Sequence, residues 1–361
     1  MTMLLVDRYV LKNFFRHLMI ALGVLVFIYI IINLFDNLGR YLGRNISAAD
    51  IFLYYFYLTP SYITLLIPVA AIIGAFFIFG HMTKHRELIA LKSSGLDVNH
   101  LLLLVFLTGI LIATAAFIFR ESVGIWAQNR LVEHQLRKID KRPSPARELR
   151  RNIFYYGEDD WIYYIREFNP EENTMRGVTL WKIGPRQLIT KRIDAESGRF
   201  DSSWTFAGAT VRNFDSLGNE TVMSGLAVNM PELVEKPSDF MKRSKPVEEM
   251  SILEIYRYVK KRARAGEDVA KEEVELNYRF SFPLITVILL IICLPLSVAL
   301  KKGGVAIGLG ISIILAFVYW GLIQSCRAYG VAGLMPPILA AWLPNMIYAF
   351  IAVVMALGIR R

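Results

Sequence analysis

The chain alternates between long apolar stretches that contain no charged residue and stretches of ordinary polarity. Six apolar stretches run for 18 residues or more without Asp, Glu, Lys or Arg, and about 20 such residues are enough for a helix to cross a bilayer. Core helices of water-soluble proteins keep a polar face, so they rarely continue that far without a charge. The pattern predicts six membrane-spanning helices, at Leu18–Phe35, Ile51–His81, Val98–Phe119, Phe280–Leu300, Gly303–Cys326 and Ala328–Ile359.

The first and the last apolar run differ from the others in what precedes or interrupts them. A polar-apolar lead of 17 residues precedes the first run, and no small-residue cleavage site follows it, so we expect a retained span rather than a signal peptide. Pro336 and Pro337 stand near the start of the last run. Because proline interrupts a helix interior, the sixth helix is predicted to begin near Ile338.

Between the third and fourth runs the pattern changes to short, partly alternating segments rich in aromatic and β-branched residues. Turn signals such as Asn169-Pro170 and Gly218-Asn219 separate them. Strands at this spacing are typical of a small sandwich or an open barrel. The predicted strands are Asn152–Tyr156, Trp161–Glu167, Arg176–Lys182, Gln187–Ile193, Thr205–Asn213 and Glu220–Val228.

Charged helices are predicted on both sides of these strands. Residues 120–148 have a helical, charged pattern that ends at Pro143 and Pro145. Ser251 and Glu254 form a capping-box pattern at the start of a basic amphipathic helix, Ile252–Ala265, which Gly266 closes. That helix either presents a solvated Lys/Arg face or lies on anionic headgroups before the fourth span.

Composition and charge sharpen this picture. The chain has 361 residues, 55% of them hydrophobic, and two cysteines, which excludes a disordered chain and a disulfide scaffold. The net charge of +10 fits either nucleic acid binding or basic loops on one side of a membrane. With alternating spans, one side carries ten cations against three anions. The cations are Arg8, Lys12, Arg16, Lys84, Arg86, Lys92, Lys301, Lys302, Arg360 and Arg361.

The distribution of Lys and Arg between the two sides predicts how the chain is oriented in the membrane. Short cytoplasmic loops are enriched in Lys and Arg, so both termini are predicted to be cytoplasmic and residues 120–280 extracytoplasmic. Nucleic acid is not an expected partner. The predicted fold is an α-helical integral membrane protein with six transmembrane helices in a 3 + 3 arrangement and an inserted all-β domain. The predicted divisions are 1–119, 120–274 and 275–361.

Signs of catalysis or of a cofactor are missing from the sequence. It contains no G-x-x-x-x-G-K-[ST] phosphate loop, and His81 and His85 lack the glutamate that a zincin motif places between them. Cys293 and Cys326 fall in or beside spans and are interpreted as small apolar residues. We therefore expect no catalytic residue, no metal and no bound cofactor, and any ATP is expected on a partner subunit.

The loop after the second span is the most informative one. Residues 84–92 favour a short amphipathic helix with Leu88 and Leu91 on its apolar side and Arg86 and Glu87 on its polar side. Such a helix either docks in a groove of another protein and transmits motion to the second and third spans, or rests on the headgroups. The glycines at 303–310 favour close helix packing, or a helix interface that moves.

At this point the sequence resembles the LptF/LptG lipopolysaccharide export permeases, and more closely the LptG branch. The resemblance covers nearly the whole chain, and the order and spacing of its short motifs are more specific than any one motif. These motifs are Val6–Val10, Phe35–Leu38, Arg86–Leu88, Ser94–Leu96, Phe282–Leu284, Gly308–Ser312, Met335–Pro337 and Ala341–Pro344.

The resemblance implies an inner-membrane permease subunit with an LptB-like ATPase dimer, a homologous LptF-like subunit and an LptC-like periplasmic protein as partners. It implies a jellyroll-like β domain in the periplasm and a coupling helix that contacts the ATPase. In that helix, Arg86, Glu87, Leu88 and Leu91 are the expected contact residues, with Glu87 at the position of the family's acidic contact.

The resemblance also implies a path for lipopolysaccharide along the first and fifth spans, where Phe27 and Ile313 lie. Arg40 and Arg44 follow the first span and are placed to meet lipid phosphates, although interfacial snorkelling explains them equally well. The LptG branch tends to carry a lysine where this chain has Asn33, so Arg40 or the partner subunit is expected to supply that charge.

Two other functions fit parts of the sequence. One is a permease of another ATPase-linked lipid or lipoprotein exporter, but such proteins typically place the extracytoplasmic domain after the first span, whereas here it follows the third. The other is a membrane scaffold for the β domain, which has no need for six spans or a cytoplasmic lever. Co-purification with an ATPase separates these functions.

Overall fold

The computed structural model describes residues 5–93, 98–141, 150–184, 188–215, 218–241, 245–264, 267–299 and 304–359. The chain divides into two compact units. The helical unit comprises residues 1–139, 247–255 and 270–361, and the β unit comprises residues 140–246 and 256–269. The helices are α1 Leu5–Gly43, α2 Ala48–Lys84, α3 Glu87–Ser93, α4 Val98–Phe119, α5 Ile125–His134, α6 Pro237–Met241, α7 Ile252–Arg264, α8 Ala270–Ala299, α9 Gly304–Val331 and α10 Pro337–Ile359.

Six helical stretches of the described chain are long and apolar enough to cross a membrane, as the charge-free runs predict. They are α1, α2, α4 with its continuation, α8, α9 and α10. The last begins at Pro337, one residue before the predicted start, because proline is tolerated in the first turn of a helix. Pro60 and Pro68 lie inside α2 without ending it.

The third membrane helix continues well past its apolar run. Two π-helical turns, Arg120–Gly124 and Gln135–Ile139, flank α5 and join it to α4 in one helical stretch that ends at Ile139. Single π turns shift the face that a helix presents and are frequent at functional sites. The predicted stop at Pro143 and Pro145 lies outside the described residues.

Helices α2 and α8 form the centre of the helical unit, and the buried apolar side chains of α8 share one core with those of the second half of α2. Close helix contacts occur where glycine removes the side chain. A Cβ added at Gly74 in α2 would lie 3.0 Å from the Leu18 backbone nitrogen of α1, and one at Gly109 in α4 would lie 3.0 Å from Val287 Cα in α8. These two glycines therefore set how closely the helices approach.

A buried hydrogen-bonded group joins three of the helices. Tyr319 of α9 donates to Asn345 Oδ1 of α10 at 2.9 Å, and Asn345 Nδ2 donates to the Ser281 carbonyl of α8 at 2.6 Å. All three residues are buried. Because an unpaired polar group in an apolar interior is costly, this group fixes the relative positions of α8, α9 and α10.

The β unit contains one antiparallel sheet whose strands follow sequence order, β1-β2-β3-β4-β5-β6. The predicted all-β domain between the third and fourth spans is therefore confirmed. Its described strands form a meander rather than two sheets, because each strand pairs with its successor. The strands are β1 Arg150–Tyr156, β2 Trp161–Asn169, β3 Thr174–Ile183, β4 Ile189–Phe200, β5 Trp204–Phe214 and β6 Glu220–Met230.

All six predicted strands exist, and β4 differs most in its bounds. Its predicted first residues, from Gln187, lie partly outside the described chain, and the strand continues seven residues beyond the predicted end at Ile193. One face of the sheet is buried on alternating residues of β2, such as Trp161, Tyr163 and Ile165, as the period of two requires. Phe240 of α6 packs on this core.

A buried carboxylate completes the β unit. Glu235 accepts hydrogen bonds from the Tyr163 hydroxyl and from the Glu158 backbone N–H. Gly157 leaves the space for it, since an added Cβ would lie 2.1 Å from Glu235 Oε1. Nearby, Lys261 donates to the Tyr156 carbonyl at 2.6 Å, and burial lowers the pKa of its ammonium group.

The capping box before α7 is confirmed. Glu254 N–H donates to Ser251 Oγ at 3.2 Å, and Ser251 N–H donates back to Glu254 Oε2 at 2.7 Å. The helix begins at Ile252 as predicted, and its described part ends at Arg264. The predicted closing residue Gly266 lies outside the described residues.

Candidate functional site

The six membrane helices differ strongly in how well this chain covers them. In the most apolar 18-residue stretch of α2, 61% of positions are buried, against 22% in α1 and 22% in α9. The buried positions of α1 form a single stripe, at Val10, Phe14, Leu18, Leu22 and Val26. The remaining faces of α1 and α9 are apolar and uncovered.

The two predicted lipid-path residues lie on these uncovered faces. Phe27 of α1 is 62% exposed, and Ile313 of α9 is 45% exposed. Their neighbours Ile28 and Phe317 are exposed as well. Apolar faces of this extent are stable in lipid or against another apolar helix, not in water.

An uncharged hydrogen-bond network ties the second half of α1 to α2. Tyr55 of α2 donates to Asn33 Oδ1 at 3.1 Å, and its hydroxyl lies 3.3 Å from that of Tyr41. Asn37 Nδ2 donates to the Asn33 carbonyl at 2.8 Å. Position 33 therefore holds α1 on α2 through neutral groups.

The two arginines after the first span have different surroundings. Arg40 lies in the last turn of α1 and is partly buried. Arg44 is exposed, and its Nη1 donates to the Ile139 carbonyl at 3.1 Å. His134 lies 2.9 Å from the Asp50 carbonyl, so the loop from α1 to α2 lies beside the end of the third membrane helix. We call this side of the helical unit its distal end.

A short helix forms at the opposite end, where residues 84–92 are predicted to be helical, but Lys84 ends α2 and Arg86 precedes the short helix. Helix α3 starts at Glu87, after Arg86 adopts a positive φ of 60° and turns the chain out of α2. Glu87 Oε1 lies 3.7 Å from His81 Nδ1, and Leu91 packs on the main helical core. Arg86 is exposed. Leu88 belongs to the same helix, but its side chain lies outside the described part.

These contacts give α3 two distinct sides. Leu91 connects it to the core formed by α2, α4 and α8, while Arg86 and part of Glu87 reach solvent. Asp7 of α1 and His100 of α4 pair at 2.8 Å near the same end. A force applied to the exposed side of α3 therefore reaches the packed helices through direct contact.

A charged cluster that the sequence did not predict lies at the distal end. Glu275 of α8 accepts from Arg120 at 2.9 Å and from Arg327 of α9 at 2.6 Å, and it lies 3.5 Å from Arg279. Arg279 also lies 3.3 Å from Glu121. We call Arg120, Glu121, Glu275, Arg279 and Arg327 the charged ring.

Arg279 is the most deeply buried member of the charged ring, at 1% exposure. Its guanidinium donates to the carbonyls of Val247 and Met250, and thereby holds the segment that precedes α7. Arg327 stacks over the Tyr278 ring at 4.2 Å. Each charge in the ring thus has an opposite charge or a hydrogen-bonding partner, as burial requires.

A polar cleft opens beside the charged ring. It has a volume of about 320 Å³ and lies between α2, the helical stretch 120–128 and α8. Ser61, Tyr62, Gln128 and Arg120 contribute polar groups to its wall. One local signal for this region is present in the sequence: Glu275 and Arg279 have i, i+4 spacing, which places opposite charges on one helix face.

No group of three or more His, Cys, Asp or Glu side chains that would hold a metal ion occurs among the described residues. Cys293 and Cys326 are both buried free thiols. The described helical unit presents uncovered apolar helix faces, a charged cluster and the short helix α3.

Comparison with known proteins agrees with this architecture. A family model described as "Lipopolysaccharide export system permease LptF/LptG" matches residues 8–358. Two similar proteins are each 21% identical over 358 residues, covering 96% of this chain and 96% of the relative. Both are named lipopolysaccharide export system permease protein LptG, one from Escherichia coli strain K12 and one from Escherichia coli O6:H1 strain CFT073.

Proposed function

The chain belongs to the LptF/LptG family of lipopolysaccharide export permeases, and we propose that it is the permease subunit of an ABC-type complex that extracts lipopolysaccharide from the inner membrane. ATP hydrolysis takes place in an LptB-like ATPase dimer. A homologous LptF-like subunit completes the membrane part, and an LptC-like protein receives the lipid. Membership and the six spans make the chain a multi-pass membrane protein.

The uneven coverage of the membrane helices is the observation that carries this proposal. Helices α1 and α9 are the least buried of the six, and their free faces hold Phe27 and Ile313. A second, similar subunit placed against them encloses an apolar space between two α1 and two α9 helices. A lipid with many acyl chains needs such a large apolar space together with cations at its edge.

The distal end supplies the cations in this proposal. Arg40 lies in the last turn of α1, Arg44 directly follows that helix, and Arg327 follows the apolar part of α9. Arg44 already donates to a backbone carbonyl, which leaves further donors of its planar guanidinium for a phosphate oxygen. Asn33 holds α1 on α2 through neutral hydrogen bonds, so Arg40 or the partner subunit provides the nearby charge.

The energy of ATP hydrolysis is transmitted to the chain at the end opposite the distal end. The excess of Lys and Arg in the loops of that end supports a cytoplasmic location for it and a periplasmic location for the β unit. Helix α3 docks on the partner ATPase through Arg86, Glu87, Leu88 and Leu91. Closure of the ATPase dimer pushes α3, and Leu91 passes the displacement to the packed helices.

Photo-crosslinking tests the lipid path. A photoreactive amino acid replaces Phe27 or Ile313. The matched control carries it at Leu111 of α4, which is an exposed apolar position away from the proposed path. We expect lipopolysaccharide adducts at the first two positions and only phospholipid adducts at Leu111. Equal lipopolysaccharide labelling at all three positions, or none at Phe27 and Ile313, contradicts the path.

A charge reversal tests the coupling role. Glu87→Lys reverses the charge that faces the ATPase, and we expect ATP hydrolysis to continue while lipopolysaccharide release is lost. Glu133→Lys is the control, because this exposed glutamate lies at the distal end, away from α3. Normal lipopolysaccharide release by the Glu87→Lys complex contradicts the role of α3.

A further inference from the structure

Helix α7 carries an exposed stripe that is unusual for a helix in water. Leu253, Tyr256, Arg257 and Lys260 have the spacing i, i+3, i+4, i+7, which places them on one helix face. All four are exposed, Leu253 at 57% and Tyr256 at 55%. Ile255 on the opposite face is fully buried. The exposed face is therefore apolar in the first turn and cationic after it.

The start of α7 is held at the membrane boundary of the helical unit. The Ile252 N–H donates to Glu121 Oε2 at 3.0 Å, and the Met250 carbonyl accepts from Arg279. Glu121 lies two residues beyond the apolar run that ends at Phe119, and Arg279 directly precedes the run that begins at Phe280. The first turn of α7 therefore begins where two membrane helices leave the apolar layer.

The distance between the apolar and cationic residues of α7 is comparable to the thickness of a headgroup layer. Arg257 lies four residues after Leu253, which is about 6 Å along the helix axis. The headgroup layer on each side of a bilayer is roughly 5–8 Å thick. A leucine at the acyl boundary, a tyrosine at headgroup level and a cation among the phosphates is the order that interfacial anchors show.

The charge of α7 favours an anionic surface. Five of its residues are basic and one is acidic, and the acid, Glu254, caps the helix. Lys261 and Arg262 are engaged by Tyr156 and Glu267. Among the described residues, Arg257 and Lys260 form no hydrogen bond or ion pair. These two cations are therefore available to lipid phosphates.

We propose that the first three turns of α7 form an interfacial anchor, seated in the anionic phospholipid headgroups around the helical unit through Leu253, Tyr256, Arg257 and Lys260. The anchor recognises phosphatidylglycerol-type lipid rather than the transported lipid. The proposal requires only that the chain spans a membrane, so it stands independently of the exported cargo.

Lipid-dependent quenching tests the anchor in the full chain. A fluorophore is attached at Leu253→Cys after the native thiols Cys293 and Cys326 are replaced by serine. Leu226→Cys, at an exposed apolar position of β6, is the matched control. The protein is placed in nanodiscs of phosphatidylcholine with increasing phosphatidylglycerol, with a nitroxide on the lipid headgroup or upper acyl chain. The measurement is made with and without the co-purified subunits.

We expect strong quenching at position 253 that increases with phosphatidylglycerol, and little quenching at position 226. Arg257→Gln or Lys260→Gln should raise the phosphatidylglycerol fraction needed for half-maximal quenching by roughly fivefold, since each surface cation contributes about that factor. Equal quenching at 253 and 226, or quenching independent of anionic lipid, overturns the anchor. Shielding of position 253 that occurs only when another subunit is present also overturns it.

Discussion

Removing the central carboxylate of the charged ring is expected to destabilise the helical unit strongly. Glu275→Gln keeps the size of the side chain but leaves Arg120, Arg279 and Arg327 converging on a neutral amide. Breaking a buried ion pair by removing one partner costs about 3–5 kcal/mol. Arg120 and Arg327 are partly exposed and turn toward solvent, so we expect the lower limit, about 3 kcal/mol.

The chain contains its own reporters for this measurement. Cys293 and Cys326 are both buried in the helical unit, so a thiol-reactive fluorogenic dye reports its thermal unfolding. A loss of about 3 kcal/mol corresponds to a fall in Tm of roughly 6–12 °C for a unit of this size. The control Glu133→Gln removes an equal charge from an exposed pair and should cost at most about 1 kcal/mol.

Comparison within the charged ring sharpens the test. Arg327→Met leaves Glu275 paired with Arg120 and Arg279, so it should lower Tm less than Glu275→Gln does. If Glu275→Gln unfolds at the wild-type temperature, the stabilising role of Glu275 is contradicted. It is also contradicted if Glu133→Gln lowers Tm by as much as Glu275→Gln does.

Three further predictions concern packing and pH. Gly157→Ala should unfold the β unit at a lower denaturant concentration, because the added Cβ overlaps Glu235. Intrinsic tryptophan fluorescence measures this unfolding, and an unchanged midpoint contradicts the packing. Burial and nearby carboxylates raise the pKa of Tyr155 to about 12, so the folded β unit keeps the proton that the unfolded chain loses near pH 10. Stability should therefore fall as the pH rises from about 10 to 12, and Tyr155→Phe should lessen the fall; an identical pH dependence in both proteins contradicts this. Gly74→Val should force α1 away from α2 and lower Tm in the thiol assay, whereas Gly80→Val, at a site with open space, should not.

The sequence predicted the elements well because their patterns are local. Six charge-free runs became six membrane helices, and alternation of apolar residues gave the six strands. The Ser251 and Glu254 capping box needed only a four-residue window. Consecutive strands can pair in one sheet or divide between two packed sheets, and strand spacing does not distinguish these arrangements, so the sequence left a sandwich and an open barrel both possible.

The charged ring was missed for a physical reason. Arg120 and Arg279 stand directly outside apolar runs, where a charge ordinarily marks the point at which a helix meets water. Here the third membrane helix continues through a π turn, and α8 begins nine residues before Arg279. Charges at the ends of the apolar runs are therefore buried between helices instead of exposed to water. Only the folded structure shows that the side chains of Glu275 and Arg327 form an ion pair.

The predictions about site residues differ in whether the structure of this chain alone can test them. Phe27 and Ile313 lie on exposed helix faces, which the sequence alone left open, and the local pattern at 84–92 corresponds to a short helix that begins at Glu87. Which residues contact a lipid or an ATPase depends on a second chain. Those roles of Arg40, Arg44, Arg86, Leu88 and Leu91 therefore stay predictions.

The central claim is that this chain moves lipopolysaccharide with energy from a partner ATPase. The most direct test reconstitutes the chain with its co-purified subunits in liposomes that contain lipopolysaccharide, and measures its transfer to a soluble acceptor. We predict transfer that requires ATP and the complete complex, while phospholipid stays in the liposomes. ATP-independent transfer, or release of phospholipid or lipoprotein in place of lipopolysaccharide, contradicts the account.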